Sequence, residues 1–155
     1  MLRAMIHVWA LAGGAVLCGV VAINVLGVVG AAFGAPFPGA FELTEMGVAV
    51  AAFAFLPYCQ LTDANVTADI FTSRAPARVV ALLRRIAGAL ALGIAGSLLW
   101  RMYAGMLDQR AYDYTTAILQ VPIWWAYLPA LVSLALLVLA AALTIAGADE
   151  AAGGR

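Results

Sequence analysis

Four long stretches of this chain are apolar and nearly free of charge, and they restrict it to one kind of fold. They cover roughly residues 6–33, 42–61, 82–106 and 122–147. A helix that crosses a membrane needs about 20 mostly apolar residues. The 155 residues are 66% hydrophobic and 10% charged, whereas a soluble domain is about 45–50% apolar and about 25% charged. The sequence therefore predicts an all-α membrane protein with four transmembrane helices in a single domain over residues 1–155.

The first stretch begins like a secretion signal but is longer than one. A signal core has about 7–15 apolar residues before its cleavage site, whereas this run extends from Ala4 to Phe33. We therefore predict a retained membrane helix. Pro36, Pro38 and Gly39 follow it and predict a turn before the second span.

The basic residues are distributed unequally between the two sides of the predicted bundle. All eight are arginines, and four spans place both termini and the 62–81 loop on one side. That side holds six arginines, and the other side holds two. Because cytoplasmic segments of membrane proteins carry the excess of Lys and Arg, both termini are predicted to be cytoplasmic. The larger group is Arg3, Arg74, Arg78, Arg84, Arg85 and Arg155, and the smaller group is Arg101 and Arg110.

Half of the arginines belong to the 62–81 loop or to the beginning of the third span. We interpret them as determinants of topology that reach the lipid headgroups. In the same loop, Val66, Ile70 and Phe71 recur at helical spacing, which predicts a short amphipathic helix on the inner membrane surface. The four arginines are Arg74, Arg78, Arg84 and Arg85.

The sequence contains no recognisable catalytic, phosphate-binding or metal-binding motif. Its one histidine, His7, and two distant cysteines do not form a credible metal site. The formal net charge of zero gives no reason to expect nucleic acid as a partner. We predict that the protein is not an enzyme and binds no cofactor.

Three polar side chains in or near the spans are candidates for interactions. Asn24 is the main polar group inside a span, where an amide favours hydrogen bonding to another helix. Glu42 and Glu45 are three residues apart, and therefore lie on one face at the beginning of the second helix. They complement the helix dipole or bind a partner; a proton relay is the third alternative, although no deeper acid or base continues its path. The central thirds of all four spans lack acids and bases, which secondary transporters need at their sites. The chain is therefore expected to assist a transport protein, not to form the transport path.

Several segments, taken in order, resemble a known family. Asn24 lies in the first helix, and "PFPGAFELTE" places Glu42 at the entry to the second. "AFLPYCQLTDANVTADIF" follows and contains Asn65 and Asp69, and "TTAILQVPIWWAYLPA" begins the fourth helix with Pro122-x-Trp124. Over residues 20–147 the chain resembles the DctQ-type small permease subunit of tripartite ATP-independent periplasmic (TRAP) transporters. Asn65 stands where that family usually has histidine.

The resemblance implies a multi-pass protein of the bacterial inner membrane that takes part in sodium-driven uptake of organic acids. Its partners would be a large permease subunit, which carries the substrate and sodium sites, a periplasmic substrate-binding protein, and membrane lipids. The small subunit would stabilise the large one and form part of the docking surface, without an enzymatic activity or a cofactor. The candidate contact or structural residues are Asn24, Glu42, Glu45, Asn65, Asp69, Pro122 and Trp124, with Arg74 and Arg78 also placed to meet a partner or lipid headgroups.

Two alternatives remain open at this point. One is an accessory subunit of some other membrane complex. The other is a small four-helix multidrug exporter that works as a dimer, which would need an acidic residue in the membrane interior. Recovery of a large heteromeric partner would favour the TRAP subunit, and recovery of a homodimer would favour the exporter.

The first prediction concerns orientation. Alkaline phosphatase, which is active only outside the cytoplasm, should be active when fused after Gly39 or Tyr112 and inactive when fused after Asp149. The reverse pattern of activity would contradict the orientation derived from the arginines.

Overall fold

The computed structural model describes residues 2–62 and 77–153, and it confirms the predicted all-α membrane fold. Asn65, Asp69, Arg74 and the amphipathic helix predicted in the 62–81 loop lie outside the described residues, except that residues 77–81 belong to a longer helix. Within these described ranges, four helices are long and apolar enough to cross a membrane. They are α1 (Leu2–Ala32), α2 (Ala40–Leu61), α3 (Ala77–Ala111) and α4 (Trp124–Gly153).

The third helix extends beyond the apolar segment that revealed it. It has 35 residues and is therefore about 52 Å long at 1.5 Å per residue, whereas the hydrocarbon core of a bilayer is about 30 Å thick. Its first turns contain Arg78, Arg84 and Arg85. Helical hydrogen bonding continues where the chain leaves the hydrocarbon, so a hydropathy pattern locates the span but not the ends of the helix.

The helices lie in the order α1, α2, α4, α3, with contacts between each neighbouring pair. We call the end with the 33–39 and 112–123 connections the loop end, and the opposite end, where both chain termini lie, the termini end. Near the termini end α1 also reaches α4, because Ile6 packs with Leu136 and Ala140. There the indole Nε1 of Trp9 donates a hydrogen bond of 2.9 Å to the hydroxyl of Ser133.

Glycine residues allow neighbouring helices to approach closely. A Cβ on Gly13 of α1 would lie 2.6 Å from the Cβ of Ala54 of α2. Gly47 of α2 contacts Val20 of α1 in the same way. Close approach of small residues is a main source of helix association in lipid, where burial of apolar area gives little driving force. The α1–α2 interface therefore depends on the absence of side chains at these positions.

Burial is unequal among the helices. About a third of the apolar span of α4 is buried (33%), against 6% of the span of α1. Among the described residues α4 thus contributes more to the core than any other helix, and α1 exposes nearly all of its surface. Large apolar side chains on that surface, such as Val8, Leu11 and Leu26, are about two-thirds exposed. In a membrane they are available to lipids or to another protein.

The connection between α1 and α2 is a tight turn built on two glycines with positive φ. Gly34 has φ of 78° and ends α1, with Ala35 N–H donating to the carbonyl of Gly30 and Gly34 N–H to that of Ala31. This pair of hydrogen bonds is the Schellman motif. Gly39, with φ of 82°, then precedes the first turn of α2.

The second prediction concerns packing between α1 and α2. Gly13→Leu forces a side chain against Ala54 and should lower the free energy of unfolding by about 1–3 kcal/mol, the usual cost of overpacking. Gly14→Leu is the matched control, because a Cβ on Gly14 meets no atom within 4 Å. Thermal unfolding in detergent should separate the two variants. Equal midpoints would show that the close contact at Gly13 does not limit stability.

Candidate interaction site at the loop end

The connection between α3 and α4 forms a closed loop with its own hydrogen bonds. α3 ends in a Schellman motif in which Asp113 has φ of 48°. Beyond it, Thr115 and Pro122 form an isolated antiparallel bridge. The N–H of Thr116 donates to the carbonyl of Val121, and the N–H of Ile123 to that of Tyr114, both at 3.0 Å. We call residues 114–123 the α3–α4 loop.

The carboxylate of Glu42 fastens this loop to α2. Its Oε1 accepts a hydrogen bond of 2.7 Å from the N–H of Ile118, and its Oε2 accepts one of 3.0 Å from the N–H of Leu119. Successive backbone N–H groups that converge on an anion form a nest, and hydrogen bonds to a charged acceptor are stronger than neutral ones. Glu42 therefore joins the beginning of α2 to residues that follow it in the chain by 76 and 77 positions.

Gly39 makes this arrangement sterically accessible. The side chain of Leu119 lies over Gly39, in contact with the place where a Cβ would project. Any larger residue there would push the loop away from the beginning of α2. The positive φ of Gly39 and the covering Leu119 thus bring the loop within reach of Glu42, which is three residues later in the helix.

A cleft of about 750 Å³ opens below the α3–α4 loop. One wall is the face of α2 that contains Met46, Ala49 and Phe53, and the opposite wall includes Met102 of α3. The floor is formed by α4, where the ring of Tyr127 lies 3.4 Å from the place where a Cβ would project from Gly105. Glu42 and Glu45 both line the cleft. The loop end therefore combines an apolar cleft with two carboxylates.

The two glutamates have different surroundings although they share a face of α2. Glu42 is half-buried and bound by the loop. Glu45 is exposed, and within residues 2–62 and 77–153 its carboxylate has no hydrogen bond or ion pair. Sequence reasoning placed both residues at the beginning of the helix, but it did not separate their environments.

Trp124 and Pro122 lie at the junction of the loop with α4. The guanidinium carbon of Arg110 is 5.5 Å from the ring centroid of Trp124, a cation–π distance. Trp124 also meets Trp125 edge to face, with centroids 6.2 Å apart. Pro122 forms the bridge with Thr115. Both predicted residues therefore contact other parts of the loop end in this chain.

Asn24 joins α1 to α2 about a quarter of the helix length from the loop end. Its amide Nδ2 donates 2.7 Å to the hydroxyl of Thr44 and 2.8 Å to the carbonyl of Val20. The Thr44 hydroxyl in turn donates to the carbonyl of Ala40 at 2.7 Å. This is an interhelical hydrogen bond of the kind that stabilises membrane bundles. The remaining predicted residues, Arg78, Arg84 and Arg85, lie at the opposite end of the molecule in α3.

The hydrogen-bond partners of Asn24, Glu42 and Trp9 were not predicted from the sequence. Thr44 could have been found, because it is the hydroxyl nearest the beginning of α2. The donors that bind Glu42 are backbone N–H groups, which every non-proline residue carries, so no residue type marks them. Trp9 and Ser133 were likewise not paired, since they are 124 residues apart.

The fold and the loop end together define a class of protein. The chain is a multi-pass membrane protein whose helices leave extensive apolar surface for other components. Residues 17–150 match the family described as tripartite ATP-independent periplasmic transporters, DctQ component, and the chain belongs to that family. This confirms the predicted resemblance and makes the protein the small membrane subunit of a TRAP transporter, a transporter component by family. The curated proteins contain no match to the chain.

The third prediction concerns the bond between Glu42 and the loop. Glu42→Gln keeps the shape but replaces one acceptor oxygen with an NH₂ group, and Glu42→Ala removes both acceptors. Hydrogen exchange at the amides of Ile118 and Leu119 should therefore accelerate in the order wild type, Gln, Ala. Mass spectrometry of the peptide containing the α3–α4 loop measures the exchange.

Asp108→Asn is the control for this experiment. It removes an exposed carboxylate from the same end, and in the described part of the chain that carboxylate makes no hydrogen bond. In this variant the amides of the α3–α4 loop should exchange hydrogen at the wild-type rate. Unchanged exchange in Glu42→Ala would show that the loop holds its shape without Glu42.

Proposed function

We propose that this subunit stabilises the large permease subunit of a sodium-driven TRAP transporter for organic acids, and that it contributes no ligand to the transported solute. The observation that carries the proposal is the distribution of charge. Among the described residues, Arg101 is the innermost charge, ten residues before the end of α3, and the other acids and bases lie nearer the ends of their helices. Between Arg85 and Arg101, α3 has 15 uncharged residues.

A carboxylate solute that crosses the membrane requires cationic or dipolar partners on its path. The polar groups inside these spans already have partners in their own chain. The hydroxyls of Ser97 and Ser133 donate to the carbonyls four residues earlier, both at 2.8 Å. Asn24 donates to Thr44. We therefore assign the substrate and sodium sites to the large subunit, and we place no cofactor or enzymatic activity in this one.

The same charge distribution argues against the multidrug-exporter alternative. Such a protein exchanges protons through an acid in the membrane interior, whereas the acids of the described helices lie within six residues of a helix end. An accessory subunit of an unrelated complex is not favoured either, because the family match covers residues 17–150.

The loop end is the part of the subunit that we assign to docking of the periplasmic binding protein. Under the orientation predicted from the arginines, it faces the periplasm of a bacterial inner membrane. The α3–α4 loop there is held in one shape by Glu42 and by its own bridge. It also exposes Ile118, which is 59% accessible. A rigid loop loses less conformational entropy when it binds than a mobile one does.

The fourth prediction tests the proposal by reconstitution. Proteoliposomes that contain the large subunit, with binding protein and a sodium gradient supplied, should take up an organic acid only when the small subunit is also present. Asn24→Ala, Ser97→Ala and Ser133→Ala should leave the ratio of uptake rates across a panel of organic acids unchanged. The ratio is the readout because Asn24 and Ser133 also join helices, so their loss can lower the amount of assembled complex.

A changed preference among the acids in any of these three variants would place part of the substrate site in this subunit. Uptake at the full rate without the small subunit would show that the large one needs no such support. Either result would contradict the proposal.

A further inference from the structure

In the part of the chain that the structure describes, two clefts next to α3 differ in the groups that they present to a partner. The one near the middle of α3 has a volume of about 550 Å³ and is lined by apolar and aromatic residues such as Leu99, Trp100 and Leu131. Lipid chains can cover such an apolar surface without a specific contact. The cleft at the loop end, of about 750 Å³, includes Glu45. The carboxylate of Glu45 beside an apolar wall favours a partner that brings a positive charge.

Glu45 is the sixth residue of α2, which places it about 7.5 Å from the beginning of the helix. An ionised carboxylate at that depth in an apolar setting is costly unless it is paired. Glu42, one turn earlier, has backbone donors from the α3–α4 loop. Glu45 has no such partner in the described part of the chain. A cation from outside the described residues would supply that partner.

The shape of the cleft indicates what carries that cation. Along α2 its wall extends from Phe41 to Phe53, about 18 Å or three helical turns. Alanines line it on two sides: Ala49 on α2, and Ala126 and Ala130 on α4. Small residues let the backbone of another helix approach closely. A lipid chain has no backbone of this kind, so the alanines favour a helix as the occupant. A helix with one basic side chain fits both the alanines and Glu45.

We propose that this cleft receives a transmembrane helix of the large permease subunit, and that a Lys or Arg of that helix forms an ion pair with Glu45. The inference rests on the proposed function, because it takes the large subunit as the partner. It adds the contact face, which the apolar sequence of the spans does not reveal. Glu42 acts here as a positioning residue, since it holds the loop that closes the top of the cleft.

Two phenylalanines of α2 provide a matched pair for photo-crosslinking. Phe53 lines the cleft and Phe55 does not, and two residues along a helix turn the side chain through about 200°. Each is replaced in turn by the photoreactive benzoylphenylalanine in the complex purified with the large subunit. Position 53 should crosslink to the large subunit, and position 55 should not. Mass spectrometry of the product identifies the helix that occupies the cleft.

Glu45→Gln then tests the ion pair. Loss of one member of a desolvated pair should reduce recovery of the large subunit with the tagged small subunit by about tenfold or more. Glu45→Arg should be worse, and replacing the partner's basic residue by Glu should restore recovery. The control is Asp108→Asn, which removes an exposed carboxylate outside the cleft and should leave recovery unchanged.

The outcomes separate this inference from the proposed function. A large subunit that copurifies and crosslinks through position 55 but not 53 would overturn the contact face and leave the function intact. Crosslinking of position 53 to lipid or to a second copy of this chain would do the same. Normal recovery of Glu45→Gln would overturn the ion pair. If the wild-type protein recovers no large subunit, the proposed function itself is wrong.

Discussion

The structure depends on close backbone contact at small residues. Lipid is as apolar as the side chains of these helices, so burial alone does not hold α1 against α2. Gly13 and Gly47 allow that contact, and polar bonds then fix the position of the helices. The hydrogen bond from Trp9 to Ser133 joins α1 to α4 near the termini end. The one from Asn24 to Thr44 joins α1 to α2 nearer the loop end. With a bond towards each end, α1 is held along its length although very little of it is buried.

The existence of the four helices could be predicted from the sequence, because the bilayer requires long apolar segments whose backbone groups are satisfied within a helix. The ends could not, since α3 begins at Ala77 and ends at Ala111, outside the apolar region. The spatial order α1, α2, α4, α3 was also beyond reach. Alanine, leucine and valine cover every face of the spans, so no periodic pattern shows which faces meet.

The candidate site was predictable in its acids but not in its geometry. Glu42 and Glu45 were recognisable as carboxylates on one helix face. Their different roles arise from the α3–α4 loop, which approaches Glu42 because Gly39 leaves room for Leu119. The shape of this loop comes from backbone hydrogen bonds, which nearly every residue type can make, so it cannot be predicted from the residue types. A chain with so few charges nevertheless makes each carboxylate in a span informative.

The internal hydrogen bonds also determine what the subunit can offer to a partner. Asn24, Thr44, Ser97 and Ser133 all donate within the chain, so the lipid-facing surface is left with few polar groups. Recognition on such a surface relies on shape, which is weakly specific, because many apolar helices fit an apolar groove. The carboxylate of Glu45, which has no partner in the described part of the chain, changes this, since an incorrect partner subunit leaves that charge without a counterion in the membrane. Glu45 would thus contribute selectivity for the correct partner more than affinity, which is consistent with a subunit that supports one particular large permease.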